Sequence, residues 1–240
     1  MNSKEVHIND LSNLINNNNI QNLIHVGAHK GDEIELYNNC GIKKIVWIEA
    51  LPDLIDEIKK NTFKYNLKID NTILNYAVSD KKENNINFYK YYKKNSNNYG
   101  LSSLLEINKN GPWAGRLKND TKLQKIISVS TNTLSNILIE NNISTQNIDL
   151  LLLDTQGSEL KILKGFNELS NVKHIYLEYS TKMFYSDSCL LNEINTFLES
   201  KNFKIDNKYK YLLFNEFNNE PDWKKTNWND CHGNIIYHKI

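Results

Sequence analysis

Short apolar runs alternate with longer amphipathic stretches over most of the chain, and the alternation predicts its elements. NLIHV at 22–26, KIVWIE at 44–49 and TILNYAV at 72–78 have the length and residue types of strands. Residues 32–39 and the stretch DLIDEIKKNTFKY after Pro52 carry helical spacing, and a proline at a first turn suits a helix start. IDLLLLD at 148–154 is the most apolar run, and a run apolar on both faces predicts a central parallel strand. KHIYLEY at 173–179 predicts a fifth strand, with a helix over 190–201 behind it. Residues 203–214 and 233–240 predict two further strands with no helix between them. Strands alternating with helices give an α/β fold with a mostly parallel sheet and right-handed crossovers, and the helix-free pair predicts an antiparallel finish.

Residues 81–125 break the rhythm. NINFYKYYKK, NSNNYGLSSLL and GPWAGRL show one alternating strand, at 86–92, and otherwise a polar, aromatic insert. Tyr91, Tyr92, Tyr99 and Trp113 suit a lid that orders over a ligand better than a disordered loop. No linker or repeat cuts the chain, so one domain is expected over residues 1–240, with an N-terminal segment at 1–20 and the insert inside it. The abundance of Asn, including Asn16 to Asn19, reads as a compositional bias filling loops.

Composition narrows the function. The 29 Lys and Arg balance 28 Asp and Glu to a net charge of +1, which argues against a dedicated nucleic-acid binder. No apolar run reaches the roughly 18 residues of a membrane span. No basic cluster is followed by an apolar stretch at the N-terminus, so no secretory signal is expected. Cys40, Cys189 and Cys231 are widely spaced, without CxxC, which fits neither a disulfide framework nor a structural zinc site and leads us to expect the cytoplasm.

In an open parallel sheet, ligands bind beyond the carboxyl ends of the strands. After the first strand comes His25-Val-Gly-Ala-His-Lys-Gly31, whose two glycines allow a tight turn close to a ligand. The third glycine of G-x-G-x-x-G is missing, which weakens a nicotinamide reading. Glu49 ends the second strand, placed to accept hydrogen bonds from a ribose diol. The third strand ends in Ala77-Val78-Ser79-Asp80 and the fourth in Asp154-Thr-Gln-Gly157-Ser-Glu159. Asp154 reads either as a helix cap or as a cleft carboxylate, and Glu178 either as a salt-bridged surface acid or as a third member of that row. Converging carboxylates of this kind orient a hydroxyl, act as a base or hold a divalent ion.

Taken together, these residues resemble the FkbM family of S-adenosylmethionine-dependent methyltransferases. HVGAHKGDE resembles the family's DVGANxG, IEALPD its acidic motif, AVSD its third strand end and YGLSSL its paired-serine segment. IDLLLLDTQGSELKILKGF is the most specific match, and IYLEYS, Phe184-Tyr185 and WNDCHGNIIYHK follow in order. Two positions depart: His25 stands where Asp is usual and His29 where Asn is common. His25 either alters a contact to the methionine ammonium or is a buried, satisfied histidine.

The resemblance implies a class I methyltransferase fold: a Rossmann-like three-layer sandwich around seven strands, the last antiparallel. It implies S-adenosylmethionine as cofactor, with His25, Gly27, Ala28, His29 and Gly31 around the methionine part. Glu49 would hold the ribose hydroxyls, Ala50, Ala77 and Ser79 would lie near the adenine, and Asp154 would stand at the boundary with the acceptor. The implied reaction is O-methylation of a sugar hydroxyl on a glycan, nucleotide sugar or glycoside. Such a hydroxyl needs a base or a metal. Asp154 is the candidate base and Glu178 its partner; Ser102, Ser103, Glu159 and His232 are candidates on the acceptor side. His232, beside Asp230, reads equally well as an exposed loop histidine. A magnesium ion stays open without assigned ligands, as does a homodimer packed through the N-terminal segment and insert. The alternatives are a nicotinamide-dependent oxidoreductase, a cofactor-binding subunit without catalysis and, third, an RNA methyltransferase.

Overall fold

A computed structural model of the chain describes residues 3–65, 69–93, 99–114, 121–214 and 231–240, with the backbone alone for 3–6. Its main sheet has seven strands: β1 (Asn22–Val26), β2 (Lys44–Glu49), β3 (Asp70–Asn75), β7 (Ile148–Leu153), β8 (Val172–Ser180), β9 (Phe203–Ile205) and β10 (His232–Lys239). Their spatial order is β3-β2-β1-β7-β8-β10-β9. The first five run parallel, and β10 slots antiparallel between β8 and β9. The run of leucines in β7 is buried at every position, because β1 pairs on one edge and β8 on the other. Removing a side chain there leaves a cavity that a strand pinned on both edges cannot close. Leu151→Ala is therefore expected to lower the unfolding free energy by about 2–5 kcal/mol, read from urea denaturation.

β1 and β7 are neighbours although more than a hundred residues separate them, because the chain winds outward from β1 to β3 and then returns to start the other half. The strand order reverses at this pair, which opens a crevice at their carboxyl ends. The α-helices that follow strands of this sheet include α2 (Ile34–Asn39), α3 (Pro52–Lys64), α5 (Glu159–Lys164) and α6 (Leu191–Ser200).

Several elements differ from the sequence reading. The expected strand at 72–78 is two: β3 stops at Asn75, and β4 (Ala77–Val78) leaves for a second sheet of order β4-β6-β5. Tyr76 N donates to Glu49 O and Ser79 N to Asn132 O, so the chain switches partner within four residues. The expected strand at 203–214 ends at Ile205, where Asp206 accepts from Lys208 N and turns the chain into a 3₁₀ turn and the short helix α7 (Tyr211–Phe214). The insert is more regular than expected: β5 (Glu83–Lys93) pairs antiparallel with β6 (Thr121–Asn132) along most of their length. β6 has an exposed middle, so no buried face marks it in the sequence. Two helices also went unread, α1 (Ser3–Asn17) and α4 (Leu134–Glu140), the latter capped by Thr133 Oγ1 accepting from Asn136 N. In α1 the Asn-rich sequence hides its buried residues Leu11, Leu14 and Ile15. No helix among the described residues is long and apolar enough to cross a membrane.

Candidate active site

The turn after β1 is built by backbone conformations that most side chains avoid. Gly27 has φ +82° and its amide donates to Ile48 O. A Cβ on it would meet the Asp154 carbonyl oxygen at 1.8 Å, so the turns after β1 and β7 touch at this atom. His29 sits at φ +49°, a region where Asn, Asp and His are enriched, so a histidine is accommodated at this position of the turn. His29 N donates to Glu49 Oε2 and Leu51 N to Glu49 Oε1, each at 2.9 Å, so the end of β2 is fastened to the turn through one carboxylate. Burial pushes the Glu49 carboxyl up, against the pull of those amides. His25 is buried against Trp47, with Nδ1 3.2 Å from the Tyr37 hydroxyl; burial holds its pKa down at about 4, so it is neutral.

The turn after β7 is a second strained segment, with Gln156 at φ +59° and Gly157 at φ +100°. Glu159 is buried beneath it and accepts from Thr155 N at 2.8 Å and Gly157 N at 3.0 Å. It is a staple for the turn, and burial raises its pKa to about 7. Gln156 is the residue that sequence reasoning missed. Its Nε2 donates to Asp154 Oδ1 and to Glu178 Oε2, both at 2.7 Å, while its Oε1 accepts from the Tyr185 hydroxyl at 2.9 Å. Burial and the neighbouring Asp154 push Glu178 well above the usual carboxylate range; burial also raises Asp154, where the Gln156 hydrogen bond opposes it. Both carboxyls of the pair are raised, and Glu178, which bears the charge and hydrogen bond of Asp154 on top of burial, is the one that holds the shared proton. Asp154 is not a helix cap: that position belongs to Ser158.

The insert closes the far side. Ser103 Oγ donates to Gln156 O at 3.0 Å and accepts from Leu105 N, and Ser102 Oγ is engaged by the Tyr91 backbone. Trp113, Phe184, Tyr185, Ile107 and Tyr91 form a buried aromatic cluster of their own. His232 opens β10 between Trp113 and Phe184, with Nε2 3.5 Å from Glu178 Oε1, and is half-buried; Asp230 lies outside the described residues.

Between the two turns lies a cavity of about 230 Å³. Of the residues singled out from the sequence, His25, Gly27, Ala28, His29, Glu49, Ala50, Ala77, Ser102 and Asp154 line it. Gly31, Ser79, Ser103, Glu159, Glu178 and His232 are not among its lining residues. Gly31 faces Trp47 and Ile58, and the Ser79 hydroxyl is spent on Asp80. Tyr99, one of the aromatic residues expected over a ligand, also lines the cavity, and Asp32, Glu33, Tyr76, Phe88, Gln156 and Ser158 line it without having been foreseen.

The family model for the methyltransferase FkbM domain matches residues 25–205. The chain belongs to this family. It is thus an S-adenosylmethionine-dependent methyltransferase with the class I α/β fold. No curated protein matches the sequence. Among solved structures, TrmK of M. capricolum in complex with S-adenosylhomocysteine is similar at 13% identity and TM-score 0.48, covering 97% of this chain and 67% of that one. Magnesium protoporphyrin IX methyltransferase from Synechocystis with bound S-adenosylmethionine is similar at 7% identity and TM-score 0.49, over 99% and 80%. An S-adenosylmethionine-dependent methyltransferase from Clostridium acetobutylicum is similar at 9% identity and TM-score 0.48, over 100% and 92%.

The cavity of this FkbM-family chain fits such a cofactor in its chemistry. Its apolar wall is made by Leu51, Leu54 and Phe88, with Ala50, Tyr99 and Leu104 packed on them. Two buried polar atoms on its lining, His29 Nε2 and Ser158 Oγ, have no partner among the described residues, as expected of a surface shaped for a polar ligand. The departure at position 25 does not disturb the turn, because His25 is satisfied by Tyr37. Among the described residues, no three His, Cys, Asp or Glu side chains are grouped to hold a metal ion, and the structure assigns magnesium no ligands.

Proposed function

We propose that this chain is an O-methyltransferase acting on a sugar hydroxyl, with Asp154 as the base. The observation that carries this reading is the position of Asp154: it lines the cofactor cavity, and through Gln156 it is joined to Glu178, His232 and the aromatic residues of the insert side. When bound, the cofactor supplies an electrophilic methyl group on a sulfonium sulfur. The protein then has to align an oxygen nucleophile with it and remove a proton. With the shared proton on Glu178, Asp154 is the ionised member of the pair and would take the hydroxyl proton as the oxygen–methyl bond forms and the methyl–sulfur bond breaks to leave the neutral thioether. Gln156 aims its carboxylate, and the protonated Glu178 keeps the like charge away. Glu49 accepts hydrogen bonds from the ribose hydroxyls with the lone pairs its two backbone amides leave over. Alternating polar and aromatic groups suit the ring of a sugar, which has apolar faces and a polar edge. Residues 1–240 act as one domain in this reading, supported by a core cluster under the main sheet that joins Leu11 of α1 to Tyr237 of β10.

Calorimetric titration with S-adenosylmethionine, S-adenosylhomocysteine and NAD, with and without magnesium, tests the cofactor side. Micromolar-range binding of the first two and none of NAD is expected. An acceptor screen with isotope-labelled methyl donor then tests the rest: a labelled methyl ether on a sugar is expected, with turnover reduced about 100-fold or more in Asp154→Asn while cofactor binding persists. Label appearing only on nitrogen acceptors, or an Asp154→Asn protein with full turnover, would overturn the reading.

A further inference from the structure

The α-ammonium of the cofactor's methionine part needs a negative counter-charge, and His25, which lines the cavity at the end of β1, is neutral and cannot supply one. We infer that Glu33, supported from the N-terminal helix by His7, is the carboxylate that receives this ammonium; the inference rests on the cofactor reading above.

The other carboxylates of the cavity are committed elsewhere. Glu49 is fastened to His29 N and Leu51 N. Asp154 is held by Gln156 beside a second carboxyl, and Asp32 stands half-exposed 3.4 Å from His29 Nδ1. Glu33 lines the same cavity and occupies the N-cap position of α2, yet its side chain makes no cap hydrogen bond. Its Oε1 lies 3.6 Å from His7 Nε2, and His7 Nδ1 is 2.9 Å from the Tyr176 hydroxyl, so α1 reaches across to both β8 and the cavity. Burial works against ionisation of Glu33, yet its carboxyl is held below the usual range, with the His7 imidazole beside it as the main opposing influence. The groups that face Glu33 electrostatically are His7 from α1, His25 from β1, Tyr37 from α2, Asp154 after β7 and Tyr176 from β8. None of them is a lysine or arginine, so the carboxylate keeps negative charge available for a ligand cation. Ser158 Oγ, 1% exposed in the same lining and without a partner among the described residues, is the independent sign that a polar ligand group belongs here.

The test compares S-adenosylhomocysteine with its deaminated analogue, S-adenosyl-4-thiobutyrate, by calorimetry on the full chain. Wild type is expected to prefer the amine-bearing ligand, and Glu33→Gln to weaken it about tenfold or more while changing the analogue by less than about twofold. His7→Ala, which leaves the carboxylate but removes its support, is expected to weaken the amine-bearing ligand more at about pH 6 than at about pH 8, because Glu33 then binds a proton more readily. An equal loss on both ligands in Glu33→Gln, or no loss on either, would overturn the assignment while leaving the cofactor reading intact. A wild-type protein that binds neither ligand would overturn that reading and this one with it.

Discussion

Gln156→Glu is expected to lower the unfolding free energy by about 3 kcal/mol at pH 8 and by clearly less at pH 5. The native amide nitrogen donates to Asp154 and Glu178 at 2.7 Å each. A glutamate there offers no N–H, and it adds a carboxyl to a pocket that already holds Asp154, Glu178 and Glu159. The sign of the pH dependence follows from proton uptake. Crowded, buried carboxyls have folded-state pKa values above their unfolded ones, as Glu159 at about 7 already shows against 4.5. Above the unfolded value the native state binds more protons than the unfolded chain, so stability falls as pH rises through that window. Wild type shows a share of this fall through Glu159 and Glu178, and the variant adds to it. Urea denaturation of both proteins at the two pH values measures the difference. A gap of the same size at both would show that charge crowding is not what Gln156 relieves.

The second large effect is steric. Gly27→Ala is expected to lose about 4 kcal/mol or more, enough to leave little folded protein. The added Cβ would lie 1.8 Å from the Asp154 carbonyl oxygen and 2.6 Å from its carbon, both backbone atoms that cannot rotate away. Relief requires the turns after β1 and β7 to part, which breaks the 3.0 Å hydrogen bond from Asp154 N to Val26 O. Gly41 is the control: it has φ +77°, and a Cβ there meets nothing within 4 Å. Gly41→Ala then carries only the left-handed backbone strain, about 1–2 kcal/mol. Thermal melts of the two variants separate the contributions, and equal losses would show that the contact with Asp154 is not what fixes Gly27.

The same contact shows where sequence reading succeeds. The two glycines of the first turn and Asp154 at the end of an all-apolar strand could be picked out because strand-end chemistry is local: period, turn residues and a terminal carboxylate lie within a dozen positions. That these ends touch is a property of the strand order, in which β1 and β7 become neighbours only after the chain has laid β2 and β3 on the far side. Ser103 shows the opposite case. It reads as an acceptor contact in the paired-serine segment, yet its hydroxyl is buried under Gln156 and holds the insert to the β7 turn. Gln156 lies inside the stretch that resembles the family most specifically, yet its role shows only when its side chain is seen to join two acids and a tyrosine.

What the sequence by itself determined was the α/β alternation, the central leucine strand, the antiparallel finish and the residues at the carboxyl ends of the strands. These follow from hydrophobic period and backbone preference, which act over a few residues at a time. Only the tertiary structure decided that β6 pairs with β5, that Glu178 lies behind Gln156, and that α1 brings His7 to Glu33 across 26 positions of sequence. Those facts depend on which distant segments share a boundary once the core closes, and on how far burial moves each carboxyl from its solution behaviour. Neither is written in any short stretch of the chain.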